Sequence, residues 1–466
     1  MRSVSRKVVR HLSIVALLWL GVCVSSAFAA DKQYIEGTFP PLLAGKPYAG
    51  TTIKVPMMQG WACFQPAINL HKEFEELTGI KVELDLMPAP EIPTKQLLEV
   101  SQKTRVYDLV AQGATTFGSF FKWTVPMDDR IKEAWGSIEK FEEWLFPAQL
   151  GVKGKDGHHY FLPFHANVQI GYYRKNLLED PQEQAAFKAK YGYELAAPKT
   201  MQEVEDIATF FTRPAQGLYG LTSNWGFGAG FGTFMDMYQA TGNNWLDAQN
   251  RPSFKSREPR KLAIQIAQWQ VDAIYTKKFV NPDAINFATG QVSDYFMSGA
   301  SAVAYGWLSD YWGYMQKPEV QAKIGPVGTF RFPSFNGADA GGMTSWWVMG
   351  INQDSKHPDA AWEYIKWVMN EHQQLPMAVE GGQLPPSRAL AYKTSVEPGG
   401  INPRAMFEAF QKARIMIQVP ELSQAPFLKA RELHRDLMAK KTTPEQFVDE
   451  LAEVTEKALQ KAGYYK

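Results

Sequence analysis

The sequence predicts an α/β protein with more than one domain, and three observations carry that reading. Its 466 residues exceed what a single hydrophobic core supports, so two to three domains are expected. From Thr51 to Gln112 the apolar residues switch repeatedly between the two-residue period of strands and the 3.6-residue period of helices. Two capping boxes, far apart in the chain, mark strong helix starts at Thr200 and Thr443.

Thr52 to Met57 is a short apolar run, read as a strand. Phe64, Ile68, Phe74 and Leu77 then fall near helical spacing. Gly79 stands as the stop, since glycine takes the left-handed conformation that ends a helix without penalty. Ile80, Val82, Leu84 and Leu86 alternate with Lys81, Glu83 and Asp85, which predicts a strand with one wet face. A second helix follows Pro93 and carries Leu97 and Leu98, and Tyr107 to Gln112 reads as a short buried strand. The order is that of a βαβαβ unit, whose crossovers are right-handed and whose ligand sites lie beyond the carboxyl ends of the strands.

The same grammar recurs downstream. Thr200-Met201-Gln202-Glu203 caps a helix whose Val204, Ile207, Ala208 and Phe211 form one apolar face. Further helices are predicted over Arg257 to Ile274, over Asp359 to Asn370 and after Thr443-Pro444-Glu445-Gln446. Ser301 to Trp307 and Trp346 to Asn352 read as strands. No internal repeat is present, and no linker is longer than Asp31 to Gly50, so the domains are expected to interleave or abut tightly.

Residues 1–29 read as an export signal: Arg2, Arg6, Lys7 and Arg10, an apolar run from Ile14 to Val24, and Ala27-Phe28-Ala29 as the cleavage site. The run is shorter than the ~20 residues a membrane span needs. Its removal takes four basic and no acidic residues, leaving a faintly acidic chain that argues against nucleic acid as a partner. Cys23 lies in the signal, with Val22 where lipoprotein signals have a small residue, and Cys63 alone remains, so no intrachain disulfide is expected. A soluble, periplasmic product follows. Its aromatic content, 13% with 14 Trp, exceeds what packing alone requires.

The standard catalytic signatures are missing: no G-x-S-x-G elbow, no H-E-x-x-H, no phosphate-binding G-x-x-x-x-G-K-[ST]. His158-His159 follows a Gly-Lys-Asp-Gly turn and reads as a solvated hairpin, with no Cys pair or spaced carboxylates to complete a ligand set, so neither metal nor cofactor is expected. Tyr172-Tyr173, inside an apolar-flanked run, reads as core.

Five strings, in order, form a recognisable series. Asp156-Gly157 with Tyr160 to Phe164, and Gly171 to Leu178, resemble a D-G-K-x-Y-x-[IL]-P hairpin and a Y-Y-N-K-D-L strand. Pro198 to Val204, Phe296 to Val303 and Ser355 to Tyr364 are similar to P-K-T-W-x-E-[LF], F-x-x-G-K-A-A-M and S-K-N-P-E-A-A-W-E-F. Together they resemble the family 1 extracellular solute-binding proteins of ATP-binding-cassette importers, the group that includes the maltose-binding protein. Arg174-Lys175-Asn176, Met201 and Ala300 depart from the pattern at surface or packing positions. The resemblance implies a two-lobed periplasmic binding protein fold with interleaved lobes and a hinge of about three crossings. On that alignment residues 30–164 and 329–372 form the N-lobe and 168–327 and 375–466 the C-lobe. The crossings fall near His165 to Gln169, near Val327 to Phe332 and soon after Asn370.

The family function implied is a monomeric, non-enzymatic protein that closes around a small-molecule carbohydrate and delivers it to membrane permease subunits. Sugars need polar side chains at their edges and aromatic planes against their C–H faces. The candidate site residues therefore come from loops at strand carboxyl ends: Gln59, Trp61 and Phe64; Gln112, Thr115 and Thr116; Asn167 at the first crossing; Trp225 and Phe227; Tyr305, Trp307 and Asp310; and Trp346 and Trp347. For each Trp the alternative is core, and Trp346 and Trp347, as strand neighbours, face opposite ways. Trp269, Trp362 and Trp367 lie on helices and read as core. The loops hold no Lys or Arg, so a neutral sugar or polyol is expected. The alternatives are an anionic solute such as glycerol phosphate, for which Arg331 is the available cation, and a periplasmic carbohydrate-active enzyme.

Overall fold

The computed structural model describes residues 33–60, 64–88, 91–145, 153–154, 156–226, 229–287, 289–315, 317–396, 404–417, 419–423 and 425–465, with Asp310 and Glu380 described for backbone only. The export signal, Trp61, Cys63 and Phe227 lie outside the described residues.

Nine strands are described: β1 (Thr52–Met58), β2 (Lys81–Met87), β3 (Leu109–Gly113), β4 (Leu162–Arg174), β5 (Tyr219–Ser223), β6 (Ser301–Trp307), β7 (Val327–Phe330), β8 (Met343–Ile351) and β9 (Arg414–Ile415). β1 and β2 pair in parallel around the helix Gln65–Thr78, which ends on Gly79 at φ 72°. The following helix, Glu91–Gln102, does not bury its leucines: Leu97 and Leu98 are exposed, and Ile92, Gln96, Glu99 and Val100 face inward. Gln96 is buried because its amide acts as a strand edge, donating to the Ala111 carbonyl at 2.9 Å and accepting the Ala111 N–H at 3.1 Å. β3 reaches β1 through Asp108, whose N–H donates to the Lys54 carbonyl and whose carboxylate accepts the Lys54 N–H. Its ladder partner, however, is β8, and the pairing is antiparallel.

β4 is the long element, and its sequence explains both its length and its place. Leu162 to Tyr172 is buried throughout, as a central strand covered on both faces must be. One edge of β4 is shared end to end, Leu162–Val168 pairing with β8 and Gly171–Arg174 with β7, while Gln169–Tyr173 pairs with β6 on the other edge. Gly171 permits this: a Cβ there would lie 2.2 Å from the Phe330 ring that crosses it. Ala166, Val168, Ile170 and Tyr172 point into an apolar core shared with the helices Leu308–Met315 and Arg404–Lys412. The alternate residues His165, Asn167 and Gln169 are polar and equally buried.

Two larger cores flank this strand. One joins residues of 42–145 and 162–164 to residues of 347–377; the other joins residues of 178–343 to residues of 416–459. Both capping boxes form as expected, on Met201–Phe211 and Pro444–Lys461. Trp269, Trp362 and Trp367 are buried, and Tyr172 stacks on Tyr311 at 4.7 Å. The segment before Gly50, without periodicity of its own, is ordered by contacts distant in sequence: Leu42 is fully buried, the Leu43 N–H donates to Glu363 Oε2 at 3.1 Å, and Lys366 Nζ donates to the Pro41 carbonyl at 2.6 Å. Glu363 and Lys366 are themselves a buried pair at 2.8 Å. Their desolvation is offset because each also binds main chain.

The helix Glu371–Gly381 packs on Gln65–Thr78, and the chain then makes isolated bridges from Leu384 to Ala166 and from Ser387 to Leu145. Among the described residues no helix is long and apolar enough to cross a membrane.

Candidate functional site

A cavity of about 250 Å3 opens where β4 passes between the two large cores. Its floor is the polar row of β4, His165 and Asn167, beside Met343 to Trp347 of β8. Ala114 and Thr115 close it on one side, following β3, and Trp307 closes it at the end of β6. The remaining wall is Ala229 and Gly232 at the start of the helix Gly230–Ala240, Met416 and Ile417 after β9, and Phe427 and Arg431 of the helix Ala425–Met438.

Asn167 is held rigidly: Nδ2 donates to Ser309 Oγ at 2.6 Å, Oδ1 accepts the Val168 N–H at 2.9 Å, and its carbonyl accepts from Thr344 Oγ1 at 3.0 Å. His165 is almost completely buried, stacks on Phe64 with centroids 5.1 Å apart, and has no partner among the described residues at either ring nitrogen. Burial pushes its pKa down to about 3, so at neutral pH it offers one donor and one acceptor. The Trp346 indole N–H is likewise buried without a partner. An unpaired buried polar group costs about 1–3 kcal/mol. Arg431 is half-buried, its guanidinium 5.9 Å from the Phe427 ring, and burial lowers its pKa.

Of the residues singled out in the sequence, Thr115, Asn167, Trp307, Trp346 and Trp347 line the cavity together. Trp346 and Trp347 both belong to the lining, but their rings pack on different sides, Trp346 fully buried against Phe117 and Trp347 against Phe64. Phe64 lies behind the lining, edge-on to Trp347 at 5.5 Å. Gln112 and Thr116 bond to each other at 2.9 Å and are not part of it. Gln59 is exposed elsewhere. Trp225 packs on Trp269 at 5.7 Å and Tyr305 on Phe332 at 4.0 Å, so both are core side chains. The backbone of Asp310 continues the helix after Trp307 and Ser309.

Sequence reasoning missed His165 and Arg431. The first had a signal, since three polar residues alternating through an otherwise apolar strand mark a polar face that must be used. The second had none, because Phe427 and Arg431 look like any amphipathic pair. Arg331 is not at the cavity and pairs with Asp339 at 2.6 Å. The expected solvated hairpin is corrected too: His159 is buried, with Nδ1 3.1 Å from Asp128 and Nε2 3.6 Å from Glu142, and only His158 is exposed. No cluster of three or more potential metal ligands is present among the described residues.

Comparison with known proteins places this geometry. A probable amino-acid ABC transporter periplasmic-binding protein of Sinorhizobium fredii is 22% identical over 97% of this chain and 98% of its own length. The mannitol-binding protein of Pseudomonas aeruginosa is 26% identical over 60% of each chain. Among solved structures, the maltose-bound MalE3 of T. maritima superposes with a TM-score of 0.73 at 20% identity, covering 87% of this chain and 99% of that one. These likenesses establish the two-lobed fold. The profile of the bacterial extracellular solute-binding proteins matches residues 65–375, well over half of the sequence, and the chain belongs to that family.

Proposed function

We propose that the protein closes around one sugar or polyol unit in this cavity and delivers it to the membrane permease of an ABC importer. The observation that carries the reading is the cavity's make-up: three Trp in its lining, polar His165, Asn167, Thr344 and Ser345 along its floor, and a position between two separate cores. Its volume corresponds to about eight waters at ~30 Å3 each, room for a single monosaccharide or linear polyol. The mannitol-binding relative and the maltose-bound neighbour support the same solute class. A free amino acid, which the other relative's name suggests, needs a carboxylate for its ammonium group, and no described side chain lining the cavity is acidic.

In this reading the lobes meet at β4, the second crossing is 331–342 between β7 and β8, and the third comes after Ser387. Only a ligand touching both lobes shifts the closure equilibrium. The contact of the turn Phe117–Trp123 with Pro420–Ser423 then belongs to the closed state. The protein acts as a periplasmic monomer after loss of its export signal, binds no nucleic acid and turns nothing over.

Native mass spectrometry of gently purified protein, followed by a thermal-shift panel of sugars, polyols and amino acids, tests this. A shift with a carbohydrate, recovered unchanged after incubation, is expected. Stabilisation by amino acids with no carbohydrate response would overturn the solute class, and recovery of a reaction product would overturn the non-enzymatic role.

A further inference from the structure

Among the described residues the cavity's charge is one-sided. Arg431 lines it half-buried, with no hydrogen bond or ion pair to any described carboxylate, and none of the described lining side chains is acidic. Among the described residues the only other titratable group in the lining is His165, neutral at ordinary pH and therefore no counter-charge. The helix Gly230–Ala240 brings its first turn to the same space through Ala229 and Gly232, and no acidic residue sits in that turn. Its amide N–H groups and dipole add positive potential. A guanidinium partly withdrawn from water without a partner is costly, and nothing in the rest of the described lining neutralises it.

A neutral polyol leaves that charge uncompensated, whereas a carboxylate meets the planar fork of a guanidinium with two parallel hydrogen bonds. A phosphate monoester carries nearly two charges at neutral pH, and the described lining offers only one cation. The aromatic walls still call for a sugar-like C–H surface. Resting on the carbohydrate reading above, we infer that the preferred solute is a sugar acid, a monosaccharide-sized aldonate or uronate, with its carboxylate on Arg431 and its hydroxyls on Asn167 and Ser345.

The test is calorimetry on the full-length mature protein with ligands paired by configuration, each acid against its neutral counterpart: glucitol with gluconate, glucose with glucuronate, and glucose with glucose 6-phosphate. The expected result is that at least one sugar acid binds ten times or more tightly than its neutral counterpart, that its affinity falls with added salt, and that Arg431→Gln erases the preference by lowering acid affinity at least tenfold. The variant's ligand-free melting temperature serves as the folding control. Arg431→Lys keeps the charge but not the fork, and is expected to recover only part of the loss. Neutral ligands binding as well as or better than the acids, with Arg431→Gln indifferent, would overturn the carboxylate and leave the carbohydrate reading standing. Preference for the phosphate ester would overturn the carboxylate in favour of a phosphate. Binding of none of these ligands, alongside binding of amino acids, would overturn the carbohydrate reading itself.

Discussion

Trp307 and Trp225 show how one residue type takes opposite duties in this chain. Both follow strands, yet Trp307 is half-buried at the cavity and Trp225 is fully buried against Trp269. Trp225→Ala leaves a cavity in a packed core and is expected to cost about 3–5 kcal/mol of unfolding free energy, with ligand affinity unchanged in the protein that remains folded. Trp307→Ala is expected to do the reverse. Loss of a stacking face worth about 0.5–1.5 kcal/mol, with the apolar contact that accompanies it, lowers affinity roughly tenfold or more, and the denaturation midpoint moves far less than in Trp225→Ala. Measuring both quantities on each variant decides the assignment; a Trp307 variant that is strongly destabilised yet binds normally removes Trp307 from the site. Sequence alone left these two tryptophans equivalent, since what separates them is which neighbours arrive from elsewhere in the chain.

The elements that matter most are those where two backbones come close. Gly118, in the turn Phe117–Trp123, lies so near Pro420–Ser423 that a Cβ would be 2.4 Å from Ser423 Oγ and 2.7 Å from the Pro420 carbonyl. Backbone cannot swing aside as a long side chain can. Overpacking of this kind costs about 1–3 kcal/mol, and if the contact forms only on closure the whole cost falls on the closed state. Gly118→Val is therefore expected to lower ligand affinity about five- to a hundredfold while leaving the ligand-free melting temperature in place. An equal loss of stability without ligand would show that the contact persists in the open protein. Periodicity made most elements legible, including both capping boxes and the run Ser301–Trp307. It did not show the inward face of Glu91–Gln102, because the buried positions there include a glutamine bonding to β3, which no hydropathy pattern encodes.

Over the whole molecule, three buried titratable groups give stability a definite pH dependence. His165 and His434 are fully buried, and burial pushes each pKa down to about 3. The folded protein thus stays unprotonated at both sites while the unfolded chain takes up protons below about pH 6.5, and each site costs about 1.4 kcal/mol per pH unit as pH falls. Asp236, whose carboxylate accepts the Met343 N–H at 2.5 Å, is pushed well above its ordinary range by burial. It has the opposite sign: the folded state holds a proton that the unfolded chain has lost, so its contribution improves as pH falls. Between pH 6 and pH 5 the two histidines together are expected to destabilise the protein by about 2.5 kcal/mol, Asp236 offsets part of that loss, and Asp236→Asn is expected to steepen the dependence. Urea unfolding at the two pH values checks this, and a flat or inverted dependence in the Asp236→Asn variant would show that the histidines are not held neutral.

What the sequence determined by itself was everything local or cumulative: the α/β class, the helix starts and stops, and, through ordered strings from Asp156 to Tyr364, the two-lobed family. Those features depend on spacing along the chain, where period, caps and turn residues act over a few positions. The tertiary structure alone decided which side chains line the cavity. His165 became a floor residue because β4 is covered on both faces and its polar row has nowhere else to go. Arg431 entered the cavity because the helix Ala425–Met438, far along the chain from His165, packs beside the helix Gly230–Ala240. The charge of a cavity is the sum over whichever side chains the fold gathers, and that sum has no counterpart in any window of the sequence.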